Sequence, residues 1–363
     1  MKFRTLAMAA LACAYILLQA AFAQDSWTTV APLPDSRWLL AAATAGDGKI
    51  YAIAGNVGGP DFYGTTETVL AYDPSADTWQ QVASLSSPRQ NLAAAADLSG
   101  RIYAIGGYLH GFPFFRSTVE CFDPQLGYWV RRAEMPTARQ GLAAASDASG
   151  LIYALGGSFT FSAPTNLVEV YDPVADAWFT GTAMLSPREG FAATTGRDGR
   201  IYVLGGYDGN AYLQSAEVYD PAAHIWTAIA PMQSVRYGLA AATGSDGRIY
   251  AIGGYAGSDL SSVEAYDPAT DSWTYVASMS VPREGHAVTA APDGRIFAIA
   301  GPGNTVEAYT PALIFPDKPE LSISIVNRPP PTTSPADGTP KSKSEASDSN
   351  PHAQSRDSHG DSH

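Results

Sequence analysis

The sequence predicts an all-β protein built from six copies of a four-stranded unit, and three recurring features support this. The first is a set of tryptophans spaced 47 to 52 residues apart, at Trp27, Trp79, Trp129, Trp178, Trp226 and Trp273. The second is an alternating apolar run that ends in glycine, at 50–55, 102–107, 152–157, 201–206, 249–254 and 296–301. The third is a Tyr-Asp-Pro or Phe-Asp-Pro turn before each tryptophan from Trp79 to Trp273. A regular period of about 50 residues indicates a repeat architecture.

Each unit has the pattern of four strands joined by recognisable turns. An alanine-rich run such as 238–243 precedes an Asp-Gly or Ser-Gly pair, which suits a two-residue hairpin because glycine accepts positive φ. The alternating run then forms the second strand, and a variable loop separates it from the third. In Asp267-Pro268-x-x-Asp271 the proline presets φ and an aspartate oxygen can bond backbone amides, so a turn leads into the tryptophan-bearing fourth strand.

The diglycine after an apolar strand, the Tyr-Asp-Pro turn and the spaced tryptophan together resemble Kelch repeats. The resemblance covers about residues 27–311 and implies that each unit is one blade of a six-bladed β-propeller. Two blades depart from the pattern. Ala54-Gly55 in blade one and Ala300-Gly301 in blade six replace the diglycine, and Thr310 replaces the turn aspartate in blade six.

The two ends of the repeat region complement each other. The last unit has three strands but no tryptophan-led fourth, whereas the first unit is preceded by a spare strand at 27–32. Pairing the spare strand with the last unit completes six blades and covers both sheet edges. The sequence therefore predicts a propeller over residues 24–311 that is closed by its N-terminal strand, and deletion of residues 24–33 is expected to destabilise it.

The segments outside the propeller have different compositions. Residues 1–23 have the pattern of a signal peptide, with Lys2 and Arg4 before an apolar run and a small-x-small cleavage pattern at 21–23. We expect a secreted or periplasmic chain that starts at Gln24, with a retained membrane anchor as the alternative. Residues 312–363 are rich in Pro, Ser and His, which predicts a disordered tail. No segment after the signal is apolar for long enough to span a membrane.

Charge and cysteine content restrict the function further. The net charge is −13, and it becomes −15 without the first four residues, so binding to nucleic-acid phosphates is not expected. Removal of the signal leaves Cys121 as the one cysteine, which excludes an internal disulfide.

An arginine occurs just before the first strand of every blade, and it has two interpretations. The six are Arg37, Arg89, Arg139, Arg188, Arg236 and Arg283. A ring of guanidiniums near the channel would bind an anion through forked hydrogen bonds. Alternatively, the arginines form ion pairs with the glutamates at the start of the third strands, at Glu120, Glu169, Glu217, Glu264 and Glu307. Blade one has Leu70 in the glutamate position, so Arg37 is the arginine expected to be free for a ligand.

The residue after each arginine differs from blade to blade. These residues are Trp38, Gln90, Gln140, Glu189, Tyr237 and Glu284. They are expected near the channel opening, on the face that also carries the loops between second and third strands. Those loops contribute Phe62, Tyr63, Tyr108, Phe112, Phe114, Phe115, Phe159 and Phe161. Arginines beside aromatic and polar side chains predict a ligand site for a glycan or a peptide.

Two enzymatic resemblances are weaker. Copper oxidases that resemble galactose oxidase need tyrosine, two histidines and a cross-linked cysteine, whereas the propeller has only His110, His224 and His286, and Cys121 occupies an apolar strand position. We therefore expect no metal or cofactor. The secreted six-bladed sialic-acid mutarotase implies Glu189 or Glu284 as an acid–base group, with Arg37 and a neighbouring arginine holding the sugar carboxylate. The sequence thus predicts a secreted binding module, with a cofactor-free sugar mutarotase as the alternative.

Overall fold

Six four-stranded antiparallel sheets surround a central channel, so the predicted six-bladed β-propeller is confirmed. The computed structural model describes residues 25–58, 64–111, 114–161 and 163–312. The predicted signal at 1–23, the predicted tail from residue 313 onward, and Phe62, Tyr63 and Phe112 lie outside the described residues. None of the described residues belongs to a helix long and apolar enough to cross a membrane.

The strands follow the predicted order within each blade. Blade one contains β2 (Ala41–Thr44), β3 (Ile50–Ile53), β4 (Val69–Asp73) and β5 (Thr78–Val82). Blade two contains β6 (Ala93–Ala96), β7 (Ile102–Ile105), β8 (Val119–Asp123) and β9 (Tyr128–Arg131). Blade three contains β10 (Ala143–Ser146), β11 (Ile152–Leu155), β12 (Val168–Asp172) and β13 (Ala177–Thr180). Blade four contains β14 (Ala192–Thr195), β15 (Ile201–Leu204), β16 (Ala216–Asp220) and β17 (Ile225–Ile229).

The remaining two blades complete the ring. Blade five contains β18 (Ala240–Thr243), β19 (Ile249–Ile252), β20 (Val263–Asp267) and β21 (Ser272–Val276). Blade six contains β22 (Ala287–Ala290), β23 (Ile296–Ile299), β24 (Val306–Thr310) and β1 (Ser26–Val30). The first strands of neighbouring blades contact one another around the channel, and their alanine, serine and threonine side chains line it. Small residues predominate there because six strands converge on one axis.

The hydrophobic core is divided among the interfaces between neighbouring blades. One cluster, for example, packs Leu155 and Val170 of blade three against Ile201, Val203 and Trp226 of blade four. All four residues of each second strand are buried, because a neighbouring blade covers either face of the sheet. Burial on both faces explains why these strands are almost continuously apolar.

The repeated tryptophan links each blade to the one before it. Its indole Nε1 donates a hydrogen bond of 2.7–2.9 Å to a carbonyl at the end of the preceding fourth strand. The pairs are Trp79–Ala31, Trp129–Ala83, Trp178–Ala133, Trp226–Thr182, Trp273–Ala230 and Trp27–Ala277. The six bonds form a complete circuit, which accounts for the regular spacing of the tryptophans.

The predicted closure by the N-terminal strand is confirmed. β1 pairs antiparallel with β24, and Trp27 lies opposite Tyr309. In three other blades the tyrosine hydroxyl donates to the turn aspartate two residues before the tryptophan, as Tyr266 does to Asp271. Blade six has Thr310 in place of the aspartate that precedes the turn proline. Its tyrosine, Tyr309, bonds instead with Asp25, which lies two residues before Trp27. Asp25 accepts the Tyr309 hydroxyl at 2.8 Å and the Ala312 amide at 2.9 Å.

Candidate functional site

The six arginines are buried, with at most 1% of each residue exposed. Five form the predicted ion pairs, at 2.6–3.0 Å for Arg89–Glu120, Arg139–Glu169, Arg188–Glu217 and Arg236–Glu264, with Arg283–Glu307 as the fifth pair. Burial lowers the pKa of Arg89 to about 10, even though Glu120 opposes the shift. The paired, scaffold interpretation of these arginines is therefore confirmed.

Five of the arginines donate to a carbonyl at the end of the second strand of their own blade, whereas the Arg89 guanidinium bonds with Thr118 and Glu120. In blade four, the Arg188 guanidinium donates through Nη1 to the carbonyl of Gly205 at 2.8 Å and through Nη2 to Glu217 Oε1 at 2.6 Å. Glu217 Oε2 accepts the Leu185 amide at 2.9 Å. The connection from the preceding blade is thereby tied to the end of the second strand and the start of the third.

The expectation that Arg37 is free for a ligand is wrong. With Leu70 in the glutamate position, its guanidinium turns to Asp35, and Nε and Nη2 each lie 2.9 Å from a carboxylate oxygen. Arg37 Nη2 also donates to Thr68 Oγ1 at 2.8 Å. Blade one thus uses a carboxylate two residues before the arginine. Because all six guanidiniums lie beneath the surface, the prediction that their side chains line a ligand site is corrected as well.

A closed ring of backbone hydrogen bonds surrounds the channel opening directly above the arginines. Its members are Leu39, Asn91, Gly141, Gly190, Gly238 and Gly285, and all six have φ between 52° and 60°. The amide of each donates to the carbonyl of its counterpart in the preceding blade at 2.7–3.0 Å, and Leu39 completes the circuit by donating to Gly285. This left-handed conformation favours glycine and tolerates asparagine, so Leu39 carries local backbone strain.

The variable residues lie immediately before this ring and extend over it. Tyr237 covers Gly190 and Trp38 covers Gly285, so that a Cβ at either glycine would collide with the aromatic ring of the next blade. In blades one to five, the backbone of the variable residue pairs with the residue that follows the diglycine position of the same blade. The five variable residues are Trp38, Gln90, Gln140, Glu189 and Tyr237. The two sets of loops therefore share one face, as expected, and we call it the mouth face.

All six variable residues border one of three adjoining cavities on the mouth face. The central cavity, about 240 Å³, lies over the channel and is bordered by Trp38, Tyr237 and Glu284. A second, about 300 Å³, lies between blades six and one, beside Trp38, Asn56 and Glu284. The third, about 470 Å³, spans blades two to five, and we call it the side cavity. It is lined by Gln90, Asn91, Tyr108, His110, Gln140, Gly141, Phe161, Glu189, Gly190 and Tyr237.

Two aromatic clusters flank the side cavity. The first joins the loops of blades two and three, where the ring of Phe161 lies 6.1 Å from Tyr108 and 5.1 Å from Phe115. The second contains Tyr237 and three tyrosines that the sequence analysis missed, at Tyr207, Tyr212 and Tyr255, with Tyr212 stacked on Tyr237 at 5.6 Å. Two of these follow a diglycine directly. That position also varies between blades, and this was the signal that could have revealed them.

The mouth face carries partly desolvated acidic groups. Burial raises the pKa of Glu189, against the effect of a hydrogen bond with the Ser158 side chain. Burial and the nearby charge of Asp259 raise the pKa of Glu284. Burial, together with the charges of Glu189 and Glu284, raises the pKa of Tyr237 to about 12. The potential around Tyr237 is therefore negative.

Comparison with known families agrees with this architecture. The family model of the KLHDC2/KLHL20/DRC7 Kelch-repeats domain matches residues 93–301, more than half of the chain, and a Kelch motif model matches residues 37–86. The chain belongs to the Kelch-repeat family.

Curated relatives match a smaller part of this Kelch protein. Kelch repeat and BTB domain-containing protein 13 of Mus musculus is 35% identical over 91 residues, which is 25% of this chain and 19% of the relative. The Homo sapiens protein of the same name matches with the same identity and coverage. Kelch-like ECH-associated protein 1B of Danio rerio is 38% identical over 82 residues, 23% of this chain and 14% of the relative. The aligned part is thus a fifth or less of each relative's length.

One Kelch blade has a histidine where the others have an apolar side chain. The third residue after the arginine is Leu40, Leu92, Leu142, Phe191, Leu239 and His286 in turn. His286 is 5% exposed, and within the described residues neither ring nitrogen has a hydrogen-bond partner. Burial lowers its pKa to about 3, helped by the charges of Arg283 and Arg236. The imidazole is therefore neutral in the folded protein at pH 7.

We expect His286→Leu to reduce the acid sensitivity of the Kelch propeller. Because the pKa of His286 is lower when folded than the ordinary value of 6.5, its contribution is complete above pH 6.5 and is lost as the pH falls towards 3. The loss approaches roughly 1 kcal/mol per pH unit. Urea unfolding at pH 7 and pH 4.5 gives the free energy of unfolding at each pH. Between the two pH values, this free energy should fall by about 2 kcal/mol less in the variant than in the parent. Phe191→Leu is the matched control, and equal losses in all three proteins would contradict the prediction.

The residues weighed for copper are dispersed in the Kelch ring. His110 borders the side cavity and His286 the central cavity, whereas His224 lies in a turn between the third and fourth strands of blade four. Cys121 is 2% exposed on β8, as its apolar position predicted. In the described ranges, no group of three or more His, Cys, Asp or Glu side chains could hold a metal ion.

The mutarotase hypothesis depends on an arginine pair that this Kelch structure does not make accessible. It required Arg37 and a neighbouring arginine to hold a sugar carboxylate, and both guanidiniums are buried in ion pairs. Glu189 and Glu284 do lie on the mouth face, yet they border different cavities. The arginine clamp is therefore wrong.

Proposed function

We propose that this Kelch propeller is a binding module that holds an extended peptide segment of a protein partner on its mouth face, in the side cavity. Kelch-repeat propellers typically bind proteins, which supports a protein partner over a small-molecule substrate. Aromatic side chains are well suited to peptide recognition because they supply a large contact area with little loss of conformational entropy.

The lining of the side cavity supports this proposal. Gln90 is 1% exposed and lines the side cavity, and its Oε1 has no hydrogen-bond partner among the described residues. A buried, unpaired amide oxygen costs free energy, and a donor from a bound ligand would recover it. Beside it, Phe161 remains 63% exposed although its ring contacts three other aromatic side chains. A ligand in the side cavity would satisfy the amide and cover the ring.

The burial of the arginines weakens the alternative of an anionic glycan. That hypothesis depended on exposed guanidiniums, which would attract a negatively charged sugar. Among the described residues, the side cavity instead presents a carboxylate, that of Glu189. A peptide offers backbone amides to Gln90 and side chains to the aromatic clusters without bringing negative charge. A neutral glycan stays as the competing ligand in the test below.

Selection of linear peptides from a phage-displayed library against the purified chain tests this function. We expect peptides whose affinity falls at least about fivefold in Phe161→Ala, because an exposed aromatic anchor contributes more than about 1 kcal/mol. Phe179→Ala is the matched control: Phe179 is 47% exposed on the fourth strand of blade three, and its removal should leave affinity unchanged.

We also propose that residues 1–23 direct export of the chain and are then removed. Mass spectrometry of the same preparation should show a mature mass that begins at Gln24.

Two outcomes would overturn the proposal. One is a library that yields no peptide whose affinity depends on Phe161. The other is a glycan array that identifies a sugar whose binding depends on Phe161 while no peptide competes with it. Circular dichroism of each variant verifies that the propeller is folded.

A further inference from the structure

The side cavity combines hydrogen-bond acceptors with negative charge. Among the described residues Gln90 Oε1 has no hydrogen-bond partner, and Gln140 Oε1 accepts a long 3.5 Å contact from Asn91 Nδ2. The Glu189 carboxylate completes this set of acceptors. Among the described residues that line the side cavity, none is lysine or arginine. A ligand group that fits must therefore donate hydrogen bonds and preferably carry positive charge.

Glu189 is held in a position where it is partly desolvated yet has no cationic partner. Its side chain extends over Gly141, the ring residue of blade three. No ion pair involves Glu189 within the described part of the chain. Burial raises the pKa of this carboxyl group because its charged form is partly removed from water. A cation placed beside Glu189 would stabilise the ionised carboxylate.

The aromatic side chains around these acceptors favour a planar cation. Tyr108 and Phe161 border the side cavity from blades two and three, and Tyr237 borders it from blade five. Glu189 and Glu284 both act electrostatically on Tyr237, so the negative potential extends along this wall. Aromatic rings attract cations through their faces, and a guanidinium both stacks on a ring and donates five hydrogen bonds. His110 also borders the side cavity, beside the ring of Phe114.

We infer that the side cavity receives an arginine side chain of the protein partner, with its guanidinium between the Glu189 carboxylate and Gln90 Oε1 and against the rings of Phe161 and Tyr237. This inference rests on the proposed function and names the partner's recognition element. It reverses the polarity expected from the sequence, because the arginines of this chain are internal and the mouth face presents acceptors.

Short capped peptides measure this preference directly. Ac-Gly-Arg-Gly-NH2 and the same peptide with citrulline differ by the positive charge while keeping size and shape nearly constant. We expect the arginine peptide to bind at least about fivefold more tightly at low salt, and the difference to shrink as salt is raised. Titration with each peptide, followed by protein NMR, gives the two dissociation constants and shows whether the shifted signals lie at the side cavity.

The variant Glu189→Gln should abolish the preference for arginine, so that the arginine and citrulline peptides bind with similar affinity. Glu284→Gln is the matched control and should reduce the preference less, because Glu284 occupies the same position in blade six and does not line the side cavity. Equal affinities for the two peptides in the parent, or an unchanged preference in Glu189→Gln, would overturn the inference.

This test is separable from the test of the general function. Library peptides that depend on Phe161 but lack arginine would overturn the arginine inference and leave peptide binding in place. Absence of any Phe161-dependent peptide would overturn both. Recovery of arginine-containing peptides whose affinity falls more in Glu189→Gln than in Glu284→Gln would support both.

Discussion

Deletion of residues 24–33 is expected to remove the cooperative unfolding transition of the whole propeller. The deletion takes away β1, whose backbone pairs with β24 along five residues, and with it Trp27 and Asp25. Trp27 donates to Ala277 and packs at 5.1 Å from the Tyr309 ring, so its loss opens the contact between blades five and six. The ladder bonds contribute about 1 kcal/mol each and the partly buried indole about 3 kcal/mol. The sum approaches the 5–15 kcal/mol by which a whole domain is usually stable.

Thermal and urea unfolding followed by far-ultraviolet circular dichroism measure this effect. Trp27→Ala isolates the indole and should cost about 3 kcal/mol. Thr29→Ala, which changes an exposed side chain on the same strand, should cost less than about 0.5 kcal/mol. A deleted chain that unfolds in one transition at the parent's midpoint would show that β1 does not close the ring.

Glu217→Leu should destabilise the propeller by about 3–5 kcal/mol, because it leaves the Arg188 guanidinium buried without its carboxylate. The same change removes the acceptor of the Leu185 amide, so the connection into blade four loses its anchor as well. Urea unfolding at pH 7 gives the free energy of unfolding for parent and variant.

Blade one supplies the matched rescue for this variant. There a leucine already occupies the glutamate position, and Asp35, two residues before Arg37, holds the guanidinium. Ser186 lies two residues before Arg188, so adding Ser186→Asp to Glu217→Leu recreates the arrangement of blade one. We expect the double variant to recover at least half of the lost stability. A double variant as unstable as Glu217→Leu would show that the two carboxylate positions are not interchangeable.

The repeats separate structural positions from variable ones within a single chain. The arginine and the diglycine perform the same task in nearly every blade, where the second glycine position donates its amide to the next blade's arginine carbonyl. The residue after the arginine and the residue after the diglycine differ, and both lie on the mouth face. Adjacent positions in the sequence therefore serve stability and, in the proposed binding mode, recognition.

The sequence by itself determined the number of blades, the order of their strands and the closure by the N-terminal strand. It could do so because each blade repeats the same local turn chemistry and the same tryptophan, and because only one arrangement covers every strand edge. The pairing of arginine with glutamate also followed, since five blades hold both residues in equivalent positions.

Only the tertiary structure decided which side chains line the cavities of the mouth face. The substitution of Asp35 for the missing glutamate and the left-handed ring at the channel opening depend on contacts between residues that no local pattern relates. The size of the side cavity depends on how blades two to five pack around it. The same packing leaves Gln90 Oε1 without a hydrogen-bond partner among the described residues. Burial determines which charges a ligand can reach. The arginines are enclosed in the scaffold, whereas Glu189 lies beside a cavity.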